Sequence, residues 1–156
     1  MAHQIKITGG GKLQSALKDI ERKTGSAKSV SVGFMSNAKY PDGTPVAMVA
    51  AIHNYGAPAR GIPARPFFSN MVAEKSPSWG DILGGLLKRT NWSARQSLGL
   101  MGEGIAGDLR ESILHGGWAK NSESTKQAKG FDAALIDTGH MLNSVTWRVD
   151  DGEEHQ

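Results

Sequence analysis

Between residues 92 and 115 the chain carries an apolar stripe of Leu98, Met101, Ile105, Leu109 and Ile113, stepping by three or four. Set into the same stretch are four glycines, Gly99, Gly102, Gly104 and Gly107. The stripe predicts one long amphipathic helix. Each glycine disfavours a helix interior by about 1 kcal/mol relative to alanine, so the four together oppose it by about 4 kcal/mol. Something must offset that cost: either a neighbour approaches the backbone too closely for side chains, or the segment is not one continuous helix. The stripe runs unbroken across all four glycines, which favours close packing.

The remaining segments are shorter. Residues 3–8, HQIKIT, alternate polar and apolar side chains with Ile5 and Ile7 on one face and predict a strand, which the glycines at 9–11 end as a hinge. Leu13, Ala16, Leu17 and Ile20 recur at helical spacing, with Gly25 just past the helix end. SVSVGFM at 29–35 predicts a second strand with Val30, Val32 and Phe34 on one side. After the turn-rich 36–45, Thr44 reads as a helix N-cap with Pro45 in the first helical position, and Gly56 as a left-handed cap. Residues 67–90 predict helix on both sides of a break at Pro77, and 116–134 a long polar loop. Asp137 and Thr138 fix a turn before Gly139, and NSVTWRV predicts a third strand with Val145, Trp147 and Val149 on one face. The expected fold is α+β, a small, mainly antiparallel sheet packed with helices, one of them long, in a single domain of residues 1–149.

Among the 156 residues there is no cysteine, which excludes disulfides and thiolate metal sites. No apolar run approaches the roughly 20 residues needed to cross a bilayer. The opening MAHQIKITGGGK lacks the apolar centre of a signal peptide, so a soluble, cytosolically made chain with no membrane contact is expected. Four of the 15 acidic residues crowd the last seven positions, an acidic and mobile tail at 150–156. Residues 1–149 therefore carry 18 basic against 11 acidic side chains. Such a body can attract nucleic acid or an acidic protein surface.

No catalytic set emerges. The five histidines show no metal-ligand spacing, and GGGK at 9–12 lacks the spacing and the following Ser/Thr of a phosphate loop. The triplet Asp137-Thr138-Gly139 has no second supporting motif for a carboxylate pair. We therefore expect a non-enzyme with no cofactor. His53, ending its helix before Gly56, reads as structural, its partial positive charge favourable at a helix C-terminus.

The most unusual stretch is AIHNYGAPARGIPARPFF at 51–68, with prolines at 58, 63 and 66 around Arg60, Arg65, Phe67 and Phe68. A loop so stiffened loses little entropy on docking. Arg60, Arg65, Pro66, Phe67 and Phe68 are accordingly candidate interface residues, with Arg65 placed to meet a carboxylate. The competing reading puts Phe67 or Phe68 into the chain's own core.

This stretch, with Ile52, His53, Tyr55, Gly56, Ile62, Pro63, Ala64, Arg65, Pro66 and Phe67, resembles one block of the neck and tail-completion proteins of tailed bacteriophages. A second block resembles the same family through Leu135, Ile136, Asp137, Thr138, Gly139, Met141, Leu142, Ser144 and Val145. Asn54 departs from it, standing where the family often has an acidic residue. The resemblance implies a structural virion protein at the head–tail junction, made in the host bacterial cytoplasm. It also implies a homo-oligomeric ring, with six or twelve copies plausible, that meets other neck, connector or tail-terminator proteins and passing DNA. A small basic nucleic-acid-binding protein is the alternative.

Overall fold

The computed structural model of the protein describes residues 10–116 and 139–151. The expected strand at 3–8, most of the polar segment 116–134, and the turn residues Asp137 and Thr138 lie outside them. In chain order the described elements are α1 (Gly10–Thr24), β1 (Ser29–Phe34), α2 (Val46–Tyr55), a 3-10 turn (Pro58–Arg60), α3 (Phe67–Arg89), α4 (Ala94–His115), α5 (His140–Asn143) and β2 (Val145–Asp150). The fold is α+β.

β1 and β2 pair antiparallel in register Val30↔Val149, Val32↔Trp147 and Phe34↔Val145. Alternation puts these three apolar pairs on one face and Ser29, Ser31, Thr146, Arg148 and Asp150 on the other. The apolar face lies on α4, with α3 alongside. Phe67, Leu109, Ile113 and Ala106 are fully buried in the resulting core, with Val46, Ala50, Met71, Met141 and Val145 around them.

The glycines of α4 divide into two kinds. A β-carbon on Gly102 would lie 2.8 Å from Val30 Cγ2 and 3.0 Å from the Trp147 ring, and one on Gly99 3.4 Å from that ring. Gly104 and Gly107 have open space around them. Close packing therefore requires glycine at Gly102 alone, where the sheet is the neighbour; at Gly99 a β-carbon would meet the ring at ordinary contact distance. Trp147 lies over the helix there and donates its indole N–H to Glu103 Oε2 at 2.7 Å.

Several local expectations shift. Gly10 and Gly11 belong to α1 rather than to a hinge, since the first turn of a helix tolerates glycine where few intrahelical bonds are at stake. Thr44 is not the cap of α2; it accepts from Tyr40 N and gives its own amide to Asp42 Oδ1, which makes it part of the turn, and Pro45 is the N-cap. Pro77 does not break α3. Its missing N–H costs the bond to Ala73, whose exposed position leaves that carbonyl to water, while Met71 before it and Trp79 after it pack on the core. β2 runs to Asp150, and Asp151 pairs with Arg95, so the chain is ordered one residue past the expected domain end and one further by that pair.

Two predictions follow from this packing. Gly102→Ala overpacks the sheet–helix contact and lowers unfolding free energy by about 1–3 kcal/mol, whereas Gly107→Ala raises it by up to about 1 kcal/mol; urea titration of the two variants measures the contrast. On the polar face, Asp150 accepts from Ser31 Oγ at 2.8 Å and Arg148 Nε at 2.7 Å, and these bonds, Ser31's above all, hold its carboxyl below the usual carboxylate range. A folded-state pKa below the unfolded one stabilises above the unfolded value, about 3.9, and the contribution is lost as pH falls through the folded value. Asp150→Asn therefore lowers the melting temperature at neutral pH, and the difference from the native chain shrinks as pH falls through the folded value.

Candidate functional site

The junction between α2 and α3, residues 53–69, is where the proline-rich stretch folds. α2 ends at Tyr55, and Gly56 turns the chain with φ 76° and ψ 172°, a positive φ but not the left-handed helical cap expected. A β-carbon there would sit 2.8 Å from the Ala64 amide nitrogen and 3.0 Å from the Ile62 carbonyl, so glycine is required twice over. The chain then makes a narrow loop closed by Ala57 N to Ile62 O at 2.9 Å and Ile62 N to Ala57 O at 3.1 Å. Gly61, left-handed at φ 68°, reverses it after the Pro58–Arg60 turn.

The two helix ends cap one another. At the end of α2 the His53 carbonyl accepts from the Arg65 amide at 2.7 Å. At the start of α3 the N-cap residue is Pro66, which offers no side-chain acceptor. Asn54, 4% exposed, reaches across instead: its Oδ1 accepts from Phe68 N and Ser69 N, both at 3.1 Å, and its Nδ2 donates to Ser69 Oγ at 2.7 Å. Two of the four orphan amides of α3 are thereby satisfied from another helix. Phe67 N bonds Arg65 O at 2.7 Å and Asn70 N bonds Pro66 O at 2.9 Å, which completes the first turn.

Arg65 is buried, 5% exposed. Its guanidinium lies 3.2 Å from His53 Nδ1. A guanidinium can only donate, so Nδ1 is the acceptor and the ring proton of a neutral His53 sits on Nε2. Burial pulls the Arg65 pKa below its ordinary value. The guanidinium of Arg65 thus brings a positive charge beside the end of α2.

Of the expected interface residues, Phe67 is wholly inside the core, edge-on to Phe34 with ring centroids 6.4 Å apart, and its carbonyl accepts from Ser112 Oγ at 2.8 Å. Truncating it is a folding lesion of about 3–5 kcal/mol. Arg65 is likewise held within the chain. Arg60 is exposed, and Pro66 and Phe68 are half-buried, so these three remain on the outside of the stretch. Phe68 is the wall shared by two apolar depressions. One, of about 160 Å³, opens among Phe34, Ala51, Tyr55 and Phe67. The other, of about 240 Å³, opens among Val30, Val32, Met71, Val72, Trp79 and Ile105.

The second block of the resemblance meets the first in the core. Gly139, left-handed at φ 71°, starts α5, and Met141 and Val145 join the buried cluster that holds Phe67. His140 stacks on Tyr40 at 4.8 Å and lies 2.8 Å from the Lys39 carbonyl through Nε2. Among the described residues no group of three or more His, Asp or Glu could hold a metal ion, and no helix is long and apolar enough to cross a membrane. No protein-family model matches the chain, and no curated protein or solved structure matches it significantly.

Sequence reasoning passed over Asn54 except as a departure from the family pattern. Its partners lie 14 and 15 residues away, and no local signal links them; the one clue is that Pro66, next to the helix start, cannot cap with a side chain. Asn54→Ala leaves two part-buried amides without that acceptor and lowers stability by about 1–3 kcal/mol. Asn54→Asp keeps the acceptor and adds favourable charge at a helix N-terminus, so its loss stays within about 1 kcal/mol. Denaturation of both variants distinguishes a cap from simple space filling.

Proposed function

We propose that the protein is a structural virion protein of a tailed bacteriophage, a subunit of a neck or tail-completion ring at the head–tail junction. The observation that carries this reading is the apolar surface that the described residues of a single copy leave uncovered. Tyr55 is 75% exposed, Leu13 63%, Leu17 57% and Met48 50%. These side chains lie on two separate elements, α1 and α2, and α2 bears no Lys, Arg, Asp or Glu along its ten residues. Exposed apolar faces of this kind mark association surfaces. Different surfaces on one chain suit head-to-tail contacts, which close into rings when the rotation allows.

The rigid α2–α3 junction supports the same reading. Its turn is ordered by Gly56, the Ala57–Ile62 bridge and Asn54 before any partner arrives, so docking against it costs little ordering entropy. On this reading the subunit meets other neck, connector or tail-terminator proteins.

Sedimentation velocity over a range of protein concentrations tests the ring. One discrete closed oligomer, its mass a fixed multiple of the chain's, is expected to appear as concentration rises. A chain that stays monomeric throughout overturns the ring, and its absence from purified virions overturns the structural role.

A further inference from the structure

The turn between α3 and α4, residues 90–93, bends through two consecutive non-glycine residues of positive φ, Asn91 at 52° and Trp92 at 66°. Asparagine tolerates that region, a bulky tryptophan does not, and glycine would adopt it without strain. The turn is nevertheless firmly held. Thr90 N donates to Leu86 O at 2.9 Å and Trp92 N to Leu87 O at 2.7 Å, and Thr90 Oγ1 lies 2.7 Å from Oγ of the fully buried Ser97. Core packing does not account for the tryptophan. Trp79 and Trp147 pack on the core cluster of the described residues, whereas Trp92, half-buried, is not among the side chains packed against it.

Cations gather round this turn. Lys88 and Arg89 are exposed in the last turn of α3 just before it, and Arg95 is exposed in the first turn of α4 just after it. Lys23 Nζ donates to Asn91 Oδ1 at 3.4 Å, which brings in the last turn of α1 with Arg22. The acidic side chains at this end are Asp19, Glu21 and Asp151. Asp19 pairs with Arg22 and Lys23, and Asp151 with Arg95. Lys88 and Arg89 pair with no carboxylate among the described residues.

We propose that this turn is a binding site for single-stranded nucleic acid, with Trp92 stacking on an unpaired base and Lys88 and Arg89 meeting the flanking phosphates. A cationic surface alone suits any polyanion. An indole held off the core beside it adds a preference for a flat π-face, which every base offers and a carboxylate does not. In a duplex those faces are taken up by neighbouring bases, so the indole selects a single strand. The turn is ordered by its own hydrogen bonds before a ligand arrives, so stacking on it costs little ordering. Backbone strain of this kind persists where the side chain is needed, since glycine would relieve it only by removing the indole. All of these residues belong to one copy, so the site stands whether or not the chain closes into a ring.

Fluorescence anisotropy of a labelled oligothymidylate tests the site, with a duplex of equal length and polyglutamate as competitors. The native chain is expected to bind the single strand more tightly than either. Its log affinity should fall against log salt with a slope of about −1.4 or steeper, from about −0.7 for each of two phosphates. Lys88→Ala/Arg89→Ala, altering two exposed positions, should make that slope shallower by about 1.4. Trp92→Gly is expected to melt no lower than the native chain and to bind the single strand about tenfold more weakly or worse, the loss of stacking on one base. Trp92→Leu keeps an apolar side chain on the same strained backbone and should lose affinity likewise, while Trp92→Phe retains most of it. No binding at low salt, equal competition by the duplex or by polyglutamate, or native affinity in Trp92→Gly or Trp92→Leu overturns the proposal.

Discussion

One buried amide organises the outer surface of this protein. Asn54 sits at the end of α2 and supplies the acceptor that the first turn of α3 lacks, because the residue before that turn is Pro66. The Arg65 amide closes the exchange by capping the carbonyl of His53. With both helix ends satisfied, the intervening loop cannot slide, and Phe67 and Phe68 leave it in fixed but opposite roles. Phe67 turns into the core against Phe34, and Phe68 stands as a wall between two depressions. The requirement is physical: orphan amides buried without partners cost about as much as a lost hydrogen bond each, so the junction has one arrangement that satisfies them.

A second constraint places the sheet. Two strands alone do not make a stable sheet in water; here the pair is completed by α4, whose backbone comes within side-chain distance of Val30 and Trp147 at Gly102. The buried charge of Arg65 fits the same logic. It is held against His53 inside the subunit, which makes it part of what keeps α2, the loop and α3 together rather than a hand extended to a partner.

Legibility followed how far apart the interacting residues lie in sequence. The periodicity of α4 and the alternation of β1 and β2 were readable from neighbouring residues, and the structure has them at or near those positions, whereas Gly56 turns the chain with a positive φ but not as the left-handed cap expected. The stretch 51–68 was recognisable as stiff for the same reason. Which of its side chains point inward was not. Arg65 and Phe67 looked available to a partner because prolines flank them, yet Arg65 is held against His53, and Phe67 meets Phe34 of β1 and, 45 residues away, Ser112 of α4 at its carbonyl. Pro77 shows the same limit: local rules break a helix there, and packing on both sides of it keeps the helix whole.

The sequence by itself determined much of the local vocabulary: the apolar stripe of α4, the alternation of β1 and β2, that neither disulfide nor thiolate metal site can be built, and that the loop before α3 is rigid. Only the tertiary structure decided which glycines are needed and which are merely tolerated, since Gly102 and Gly107 are alike in sequence and differ in whether Val30 and Trp147 lie against them. It likewise decided that Asn54 is a cap, that Phe67 is core, and that the stripe of α1 finds no cover among the described residues. Periodicity reports a face. What covers that face is set by the contacts of distant segments, and those exist only once the chain has folded.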